Sequence, residues 1–257
     1  RLPAAGGVSH AVSNGRKILF TRYDGGVDVY DTVARNWSTV NKNQHAIYSK
    51  GVSAGNKVLY AAPVIVSPIE RNQMVSIFDT EKNRWSSLKF KKARFDYASA
   101  VVGHRLFYAG GITDSSGQSV VVRTIDVYDA VKDEWSQVEF PGAREGMVAA
   151  GYGSRIYFAG GQYLKNDSLV WSCDTGGNLC DSVPARIFSD RVDIWDLQTN
   201  TWSVTHLSEG RTVRDVLVVQ DKIFFSGGKK ENGYSTRLDI YHVPSNTWQK
   251  TDQTLTE

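Results

Sequence analysis

Proline, cysteine and long apolar runs are scarce in this sequence. Six prolines and a charged fraction of 22% among 257 residues leave no room for a stiff or strongly solvated linker. Two cysteines are too few for a disulfide framework that replaces a hydrophobic core. No apolar run approaches the roughly 18 residues of a membrane-spanning helix, so we expect a soluble protein that does not insert into membranes.

A large excess of charge of one sign is also missing. Lysine and arginine outnumber aspartate and glutamate by only 30 to 27, which does not predict a nucleic-acid partner, because phosphates demand a clustered basic surface. Hydrophobic residues make up 41% and aromatic residues 11% of the chain, which is enough for the core of one large all-β domain. The first residue is Arg1 rather than methionine, so the N-terminus does not reveal the compartment.

A five-fold internal repeat organises the chain. Each copy contains a tripeptide that starts with valine or isoleucine, and a tryptophan stands six positions after the tripeptide ends. The tripeptides begin at Val29, Ile77, Val127, Ile194 and Ile240, and the tryptophans are Trp37, Trp85, Trp135, Trp202 and Trp248. The tryptophans lie 48, 50, 67 and 46 residues apart, which is typical of a repeat architecture.

An apolar run precedes each tripeptide, and a double glycine follows that run in the last three repeats. The runs are Ile18–Phe20, Val58–Tyr60, Leu106–Tyr108, Ile156–Phe158 and Ile223–Phe225, and the glycine pairs begin at Gly110, Gly160 and Gly227. This combination resembles the kelch repeat, over nearly the whole chain. The first two repeats depart from the pattern, with Arg22-Tyr23 and Ala62-Pro63 in place of the glycines.

The resemblance implies an all-β fold, a kelch-type β-propeller. We expect five blades of four antiparallel strands in a single domain, 1–257, with repeats at about 1–40, 41–90, 91–140, 141–207 and 208–252. In the third repeat, β-branched and aromatic residues predict the strands Ala98–Val102, Arg105–Ala109, Arg123–Tyr128 and Glu134–Val138. Ring closure leaves an alternative, in which these are five blades of a six-bladed ring.

Antiparallel strands sort the loops onto two faces. The linkers between repeats emerge together with the loops between the second and third strands, and the turns on the opposite face are short. The second-to-third-strand loops are long and variable: Val64–Gln73, Ile112–Val122, Gln162–Arg191 and Lys229–Thr236. Variable loops on a rigid scaffold usually carry function, so we expect ligand binding on this face.

Three arginines in the linkers between repeats are candidate ligand-binding residues. Arg94, Arg144 and Arg211 each stand sixteen residues before the first glycine of a pair. In kelch-like substrate adaptors, arginines at this place bind acidic peptides, so the resemblance implies a partly basic funnel here. The arc is incomplete, because Gly6 and Ala46 occupy the position in the first two repeats.

The competing interpretation of these arginines is structural. Carboxylates close in sequence, at Asp96, Glu145 and Asp215, would then pair with them and tie the blades together. The remaining candidates for ligand contact on this face are Tyr97, Arg214, Arg71, Arg123, Tyr163, Trp171 and Tyr234. A basic funnel favours a protein or an acidic peptide as the partner, whereas exposed aromatic rings would suit a carbohydrate.

The fourth repeat is about twenty residues longer than the others because of the segment Gln162–Arg191. We expect a loop with little strand character there, since long insertions in compact domains are usually functional or disordered. Cys173 and Cys180 in this loop favour a disulfide, with two free thiols as the alternative. Asn166 begins an Asn-Asp-Ser sequon. Both features favour a secreted over a cytoplasmic protein.

Motifs for catalysis are absent. The sequence contains no G-x-S-x-G, H-E-x-x-H, Walker or dinucleotide-binding motif, and the five histidines show no metal-ligand spacing. We therefore predict no cofactor, no metal and a non-enzymatic binding module. A secreted carbohydrate-binding protein stays open as an alternative. So does an enzyme in which Asp96, Glu145 and Asp215 serve as acid and base.

Overall fold

The computed structural model describes residues 7–40, 51–61, 74–89, 94–115, 118–173 and 180–249. Within these ranges the regular structure consists of β-strands, of which twenty form five four-stranded sheets and six form three two-stranded hairpins. We number the four-stranded sheets blades 1 to 5 in chain order. No helix of the described ranges is long and apolar enough to cross a membrane.

Each blade is an antiparallel sheet whose four strands pair in chain order. Blade 1 comprises β1 (Val8–Ser13), β2 (Lys17–Arg22), β3 (Val27–Asp31) and β4 (Asn36–Val40). Blade 2 comprises β5 (Gly51–Ala54), β6 (Lys57–Ala61), β7 (Met74–Asp79) and β8 (Arg84–Lys89). Blade 3 comprises β9 (Ala98–Val102), β10 (Arg105–Ala109), β13 (Thr124–Asp129) and β14 (Glu134–Glu139), with the hairpin β11 (Ile112–Ser115) and β12 (Gln118–Val121) inserted.

The last two blades also carry an inserted hairpin between their second and third strands. Blade 4 comprises β15 (Val148–Tyr152), β16 (Arg155–Ala159), β19 (Arg191–Asp196) and β20 (Thr201–His206), with β17 (Gln162–Cys173) and β18 (Cys180–Phe188) inserted. Blade 5 comprises β21 (Asp215–Val219), β22 (Lys222–Ser226), β25 (Leu238–His242) and β26 (Thr247–Gln249), with β23 (Lys229–Lys230) and β24 (Gly233–Tyr234) inserted. The predicted four-strand repeat is confirmed, and β9 and β10 have the predicted bounds.

The segment Gln162–Arg191 differs from its prediction as a loop, because most of it forms the hairpin β17–β18. Leu169, Val170 and Trp171 lie opposite Pro184, Val183 and Ser182 in the register. A register shift between Lys165 and Leu169 places the residues of the sequon in a bulge. The hairpin forms because β-branched and aromatic residues favour extended backbone. It was not predicted because the bulge interrupts the alternation of apolar and polar residues by which a strand is recognised in a sequence.

The repeated tryptophan lies on the outermost strand of each blade and packs against an aromatic residue of the third strand. The two residues are cross-strand partners in the register. Their ring centroids are 4.9–5.3 Å apart: Trp37 with Tyr30, Trp85 with Phe78, Trp135 with Tyr128, Trp202 with Trp195, and Trp248 with Tyr241. Such pairs stabilise a sheet beyond their buried area, so the sequence repeat is the trace of a repeated packing unit.

The turn before the fourth strand also repeats. Asp31 accepts hydrogen bonds from the backbone N–H groups two and three residues later. Asp79, Asp129 and Asp196 do the same. A residue with positive φ stands four positions after each aspartate, and also four positions after His242, at Arg35, Asn83, Asp133, Asn200 and Asn246. His242 replaces the aspartate in blade 5 and contacts Ser245 through Nδ1 at 2.5 Å.

The hydrophobic core lies between the blades. Four clusters join blade 1 to 2, 2 to 3, 3 to 4 and 4 to 5. At each seam, one blade presents small and aliphatic residues such as Leu59 and Ile77 of blade 2. The following blade presents larger ones such as Tyr108 and Tyr128 of blade 3. The first strands contact one another in sequence, β1 with β5, β5 with β9, β9 with β15, and β15 with β21, as the inner strands of a propeller do.

The double glycine closes the seams from blade 3 to 4 and from blade 4 to 5 on the backbone side. Gly161 donates its N–H to the carbonyl of Arg211 in the next blade over 2.9 Å. A Cβ at Gly160, whose φ is +67°, would come within 2.5 Å of the same oxygen. Glycine is therefore required both by the left-handed backbone and by the close approach of the neighbouring blade.

We expect Gly160→Ala to destabilise the protein more than Gly153→Ala. Both glycines have positive φ, but a Cβ at Gly153 meets nothing within 4 Å. Gly153→Ala should therefore lower the free energy of unfolding by only the ~1 kcal/mol that an alanine with left-handed backbone costs. Thermal unfolding followed by circular dichroism should show a decrease in Tm of about 3 °C for Gly153→Ala and at least twice that for Gly160→Ala. Equal decreases would mean that the blades do not approach closely at Gly160.

Candidate functional site

The inserted hairpins and the linkers between blades lie together on one face of blades 3 to 5, which we call the loop face. Backbone bridges join Phe95 to Ile112 and Glu145 to Gln162, and the N–H of Thr212 donates to the carbonyl of Lys229. Each linker is thereby attached to the hairpin of its own blade. This is the face on which the sequence predicts binding.

The three linker arginines lie inside the blades and do not line an open funnel. The side chains of Arg94, Arg144 and Arg211 are 0% exposed. Each forms an ion pair of 2.6–2.7 Å with an aspartate of the third strand in its own blade: Arg94 with Asp126, Arg144 with Asp193, and Arg211 with Asp239. The predicted arc of solvent-facing guanidinium groups is therefore not present.

Each of these arginines also donates to backbone carbonyls around the double glycine. Arg144 donates to Gly160 O at 2.7 Å and Gly142 O at 2.6 Å, and Arg211 donates to Gly227 O at 2.9 Å. The guanidinium thus joins the linker, the end of the second strand and the third strand. Five N–H donors in a rigid fork suit such a multi-point contact, which supports the structural interpretation.

The partners expected from sequence proximity were wrong. Glu145, which is buried, pairs with Arg186 of β18 over 2.5 Å. Burial raises the pKa of Asp96, and the charge of Arg186 opposes that rise. Asp215 begins β21 and is exposed. The true partners stand 28 to 49 positions later in sequence, because the third strand returns beside the second only after the inserted hairpin.

The first two blades show how the pair is compensated where the linker lacks arginine. Blade 1 keeps the buried aspartate, Asp28, and pairs it with Arg22 from the end of β2 over 2.7 Å. In blade 2 the sequence has Ala46 and Ser76 at the two positions, so both charges are replaced together. A buried carboxylate without a cation is strongly unfavourable, which explains both solutions.

The other candidate residues have different surroundings. Tyr97 packs edge-on against Tyr108, and burial raises its pKa. The hydroxyl of Tyr163 accepts a hydrogen bond from Arg144, whose guanidinium lies over the tyrosine ring at 5.4 Å. Arg123 and Arg214 are exposed, and Tyr234 is 80% exposed. Arg71 lies outside the described residues, and only the backbone of Trp171 is described.

The structure brings together a basic cluster on blade 5, and one member of it, Arg214, is a candidate predicted from the sequence. Arg214, Lys229 and Arg237 are exposed, and the backbone brings them to one double-glycine turn. The N–H of Arg214 donates to Ser226 O at 3.0 Å, and the N–H of Gly227 donates to Arg237 O at 2.9 Å. Lys229 directly follows Gly228. Within the part of the chain that the structure describes, none of the three has an ion pair, whereas Lys230 pairs with Glu209 at 3.1 Å.

The opposite face carries a polar cleft of about 450 Å³ between blades 1 and 2. Its side chains already contact one another across the seam: Lys17 donates to the carbonyl of Thr80, and Asn14 donates to the Thr80 hydroxyl at 2.6 Å. These hydrogen bonds join the two blades. Among the described residues, no group of three or more histidine, cysteine or acidic side chains is arranged to hold a metal ion.

Comparison with known proteins identifies the family. The kelch motif model matches residues 93–139, which hold β9 to β14 and the Arg94–Asp126 pair. The chain is a kelch-repeat β-propeller. Its fold is similar to the solved structure of YjhT, with a TM-score of 0.66 and 15% identity over 98% of this chain and 86% of that one. No curated protein sequence matches the chain.

The two cysteines of this kelch propeller are cross-strand partners, Cys173 at the end of β17 and Cys180 at the start of β18. Directly opposed residues in antiparallel strands have Cα atoms about 4.5–5.5 Å apart, within the range that a disulfide bridges.

We expect one disulfide between Cys173 and Cys180 at the tip of this hairpin. Intact mass spectrometry after treatment with oxidised glutathione and iodoacetamide should show no alkylation without reductant, and one adduct for Cys173→Ser. Two adducts on the unsubstituted protein in the absence of reductant would contradict the disulfide.

We expect Arg94→Ala to destabilise the kelch propeller strongly, because it leaves the carboxylate of Asp126 buried without its cation. Breaking a buried ion pair costs about 3–5 kcal/mol, which corresponds to a decrease in Tm of roughly 10 °C. Arg155→Ala is the matched control, since Arg155 pairs with Asp196 at 2.9 Å on the surface. Surface pairs contribute at most ~1 kcal/mol. Similar Tm values for the two variants would argue against the structural role.

Proposed function

We infer that this kelch propeller is a binding module whose loop face takes an acidic peptide segment of a protein partner. The observation that carries this proposal is the exposed basic cluster of Arg214, Lys229 and Arg237, which has no ion pair within the described ranges. Arg123 extends the same positive character to blade 3. Guanidinium and ammonium groups that are not neutralised internally are available to carboxylates of a ligand.

The surroundings of the cluster are suited to binding an extended peptide. The cluster surrounds a rigid turn, because Gly227 and Gly228 are fixed by hydrogen bonds to Arg237 and from Ser235. Tyr234 lies directly opposite Lys229 in the short hairpin β23–β24. An exposed tyrosine beside cations provides a large contact area at low cost in conformational entropy. The buried linker arginines support this surface from below, as a scaffold and not as ligand contacts.

Exchange of the cluster charges tests the proposal. We expect Arg214→Glu/Lys229→Glu/Arg237→Glu to weaken binding of a fluorescein-labelled, glutamate-rich peptide at least tenfold, measured by fluorescence anisotropy. The affinity of the unsubstituted protein should also fall as salt is raised from about 50 to 200 mM, because exposed charges are screened. Tm should stay unchanged, since the three side chains are exposed.

The matched control reverses three exposed cations on other surfaces, Lys82→Glu/Arg84→Glu/Lys132→Glu, with the same change in net charge. Equal losses in the two triple variants would show that only net charge matters, and no binding by the unsubstituted protein would refute the proposal for this class of peptide.

A carbohydrate ligand is the second candidate, and the exposed ring of Tyr234 favours it. Sugars stack their apolar faces on exposed aromatic rings. In that case a glycan array gives hits that Tyr234→Ala abolishes and that the triple charge reversal leaves unchanged.

A further inference from the structure

The seam between blade 5 and blade 1 differs from the other four seams. Five blades in a closed ring require five hydrophobic seams, and the described residues form four clusters, which join blades 1 to 2, 2 to 3, 3 to 4 and 4 to 5. The side of blade 5 that would contact a following blade is its front face, here defined by Leu217, Val219 and Phe224. The side of blade 1 that would contact a preceding blade is its back face, here defined by Ile18, Phe20 and Tyr30.

The front face of blade 5 carries exposed apolar side chains at its inner strand, although Ile240, which lies opposite Phe224, is buried. Leu217 is 61% exposed and Val219 is 44% exposed. The corresponding residue to Leu217 in blade 4 is Ala150, because Tyr152 and Val219 hold the same register position beside the turn. Ala150 is 6% exposed and belongs to the cluster that joins blades 4 and 5. Likewise, Phe224 is half-buried where its counterpart Tyr157 is 1% exposed.

The back face of blade 1 shows the same difference. Ile18, Phe20 and Tyr30 are half-buried. Their counterparts in blade 4, Ile156, Phe158 and Trp195, are 0%, 0% and 6% exposed and pack into the cluster that joins blades 3 and 4. Blade 1 therefore presents the side chains that a preceding blade normally covers, and blade 5 presents those that a following blade normally covers.

The backbone of blade 5 shows the same open seam independently. Gly111 and Gly161 donate their N–H groups to the carbonyls of Arg144 and Arg211 in the next blade, at 2.9 Å each. In the part of the chain that is described, the N–H of Gly228 has no such acceptor. A Cβ at Gly160 would approach the next blade within 2.5 Å, but one at Gly227 meets only its own blade, at 3.4 Å and beyond.

We propose that the gap between blades 5 and 1 receives a sixth four-stranded blade, joined to this chain, whose aromatic side covers Leu217 and Phe224 and whose aliphatic side covers Phe20 and Tyr30. A single blade has two apolar faces and does not fold alone, so it must be attached to the others. A second copy of the chain does not fit this gap well, because it would bring five blades to a space that holds one.

The fold comparison agrees with the size of this gap. This chain matches 86% of the YjhT structure through 98% of its own 257 residues, which leaves roughly 40 residues of that chain unmatched, close to one blade of the kelch period.

An added blade tests the proposal. A copy of residues 91–140 joined after Gln253 keeps the spacing that residue 90 has from Trp85, and brings the back face of blade 3 against Leu217. We expect the Tm to rise by about 5–10 °C and the fluorescence of 8-anilinonaphthalene-1-sulfonate to fall severalfold. The matched control carries Leu106→Asp and Tyr108→Asp in the added copy only, and should give neither change. An added blade that leaves both measurements unaltered would overturn the proposal.

Leu217→Asp provides a second test that does not depend on the added blade. In the 257-residue protein we expect no change in Tm, because the side chain is exposed, and weaker dye binding. In the extended protein the same substitution should remove most of the gain in Tm. A loss of several degrees in the unextended monomer would show that blades 5 and 1 already meet. A concentration-dependent dimer that Leu217→Asp dissociates, seen by light scattering, would assign the surface to a second copy.

Discussion

A four-stranded sheet with two apolar faces must bury both of them, and the rest of this propeller depends on that constraint. The solution is a repeated seam in which the smaller side chains of one blade, such as Leu59 and Ile77, pack against the larger ones of the next, such as Tyr108 and Tyr128. Burial of this kind contributes about 25 cal/mol per Å². Because each seam joins neighbours only, stability is shared between adjacent blades. Leu217 of blade 5, at 61% exposed, lies in none of the four clusters.

The polar counterpart of the seam is the buried arginine–aspartate pair. Arg94 and Asp126 illustrate it: neither is exposed, and each satisfies the other in a region that excludes water. Ion pairs of this kind add little stability compared with apolar residues, but losing one partner is costly. The pair also positions the linker against the double glycine, and so determines where the loop face begins. The binding proposed for this face therefore relies on residues outside the scaffold, such as Arg214 and Lys229.

Much of the fold was predictable because the repeat makes the same local physics visible five times. The tryptophan and its aromatic partner lie on adjacent strands and are separated by a constant number of residues. The turn that begins at the aspartate is completed within four residues. The candidate site was less predictable. Arg94, Arg144 and Arg211 have the residue type and spacing of ligand contacts, yet the same features suit an internal tie. Their acidic partners lie beyond a hairpin, so proximity in sequence selected the wrong carboxylates, Asp96 and Glu145.

The sequence by itself determined the kelch repeat, the four-stranded blade and the face on which the long loops emerge, since these follow from patterns within about 50 residues. Only the tertiary structure decided that the linker arginines are buried, that Gln162–Phe188 is largely a hairpin, and that Leu217 and Val219 of blade 5 are exposed. Burial and pairing depend on which distant segments meet, and a one-dimensional pattern does not record distance in space. The same valine and leucine residues predict a strand whether or not a neighbouring blade covers them.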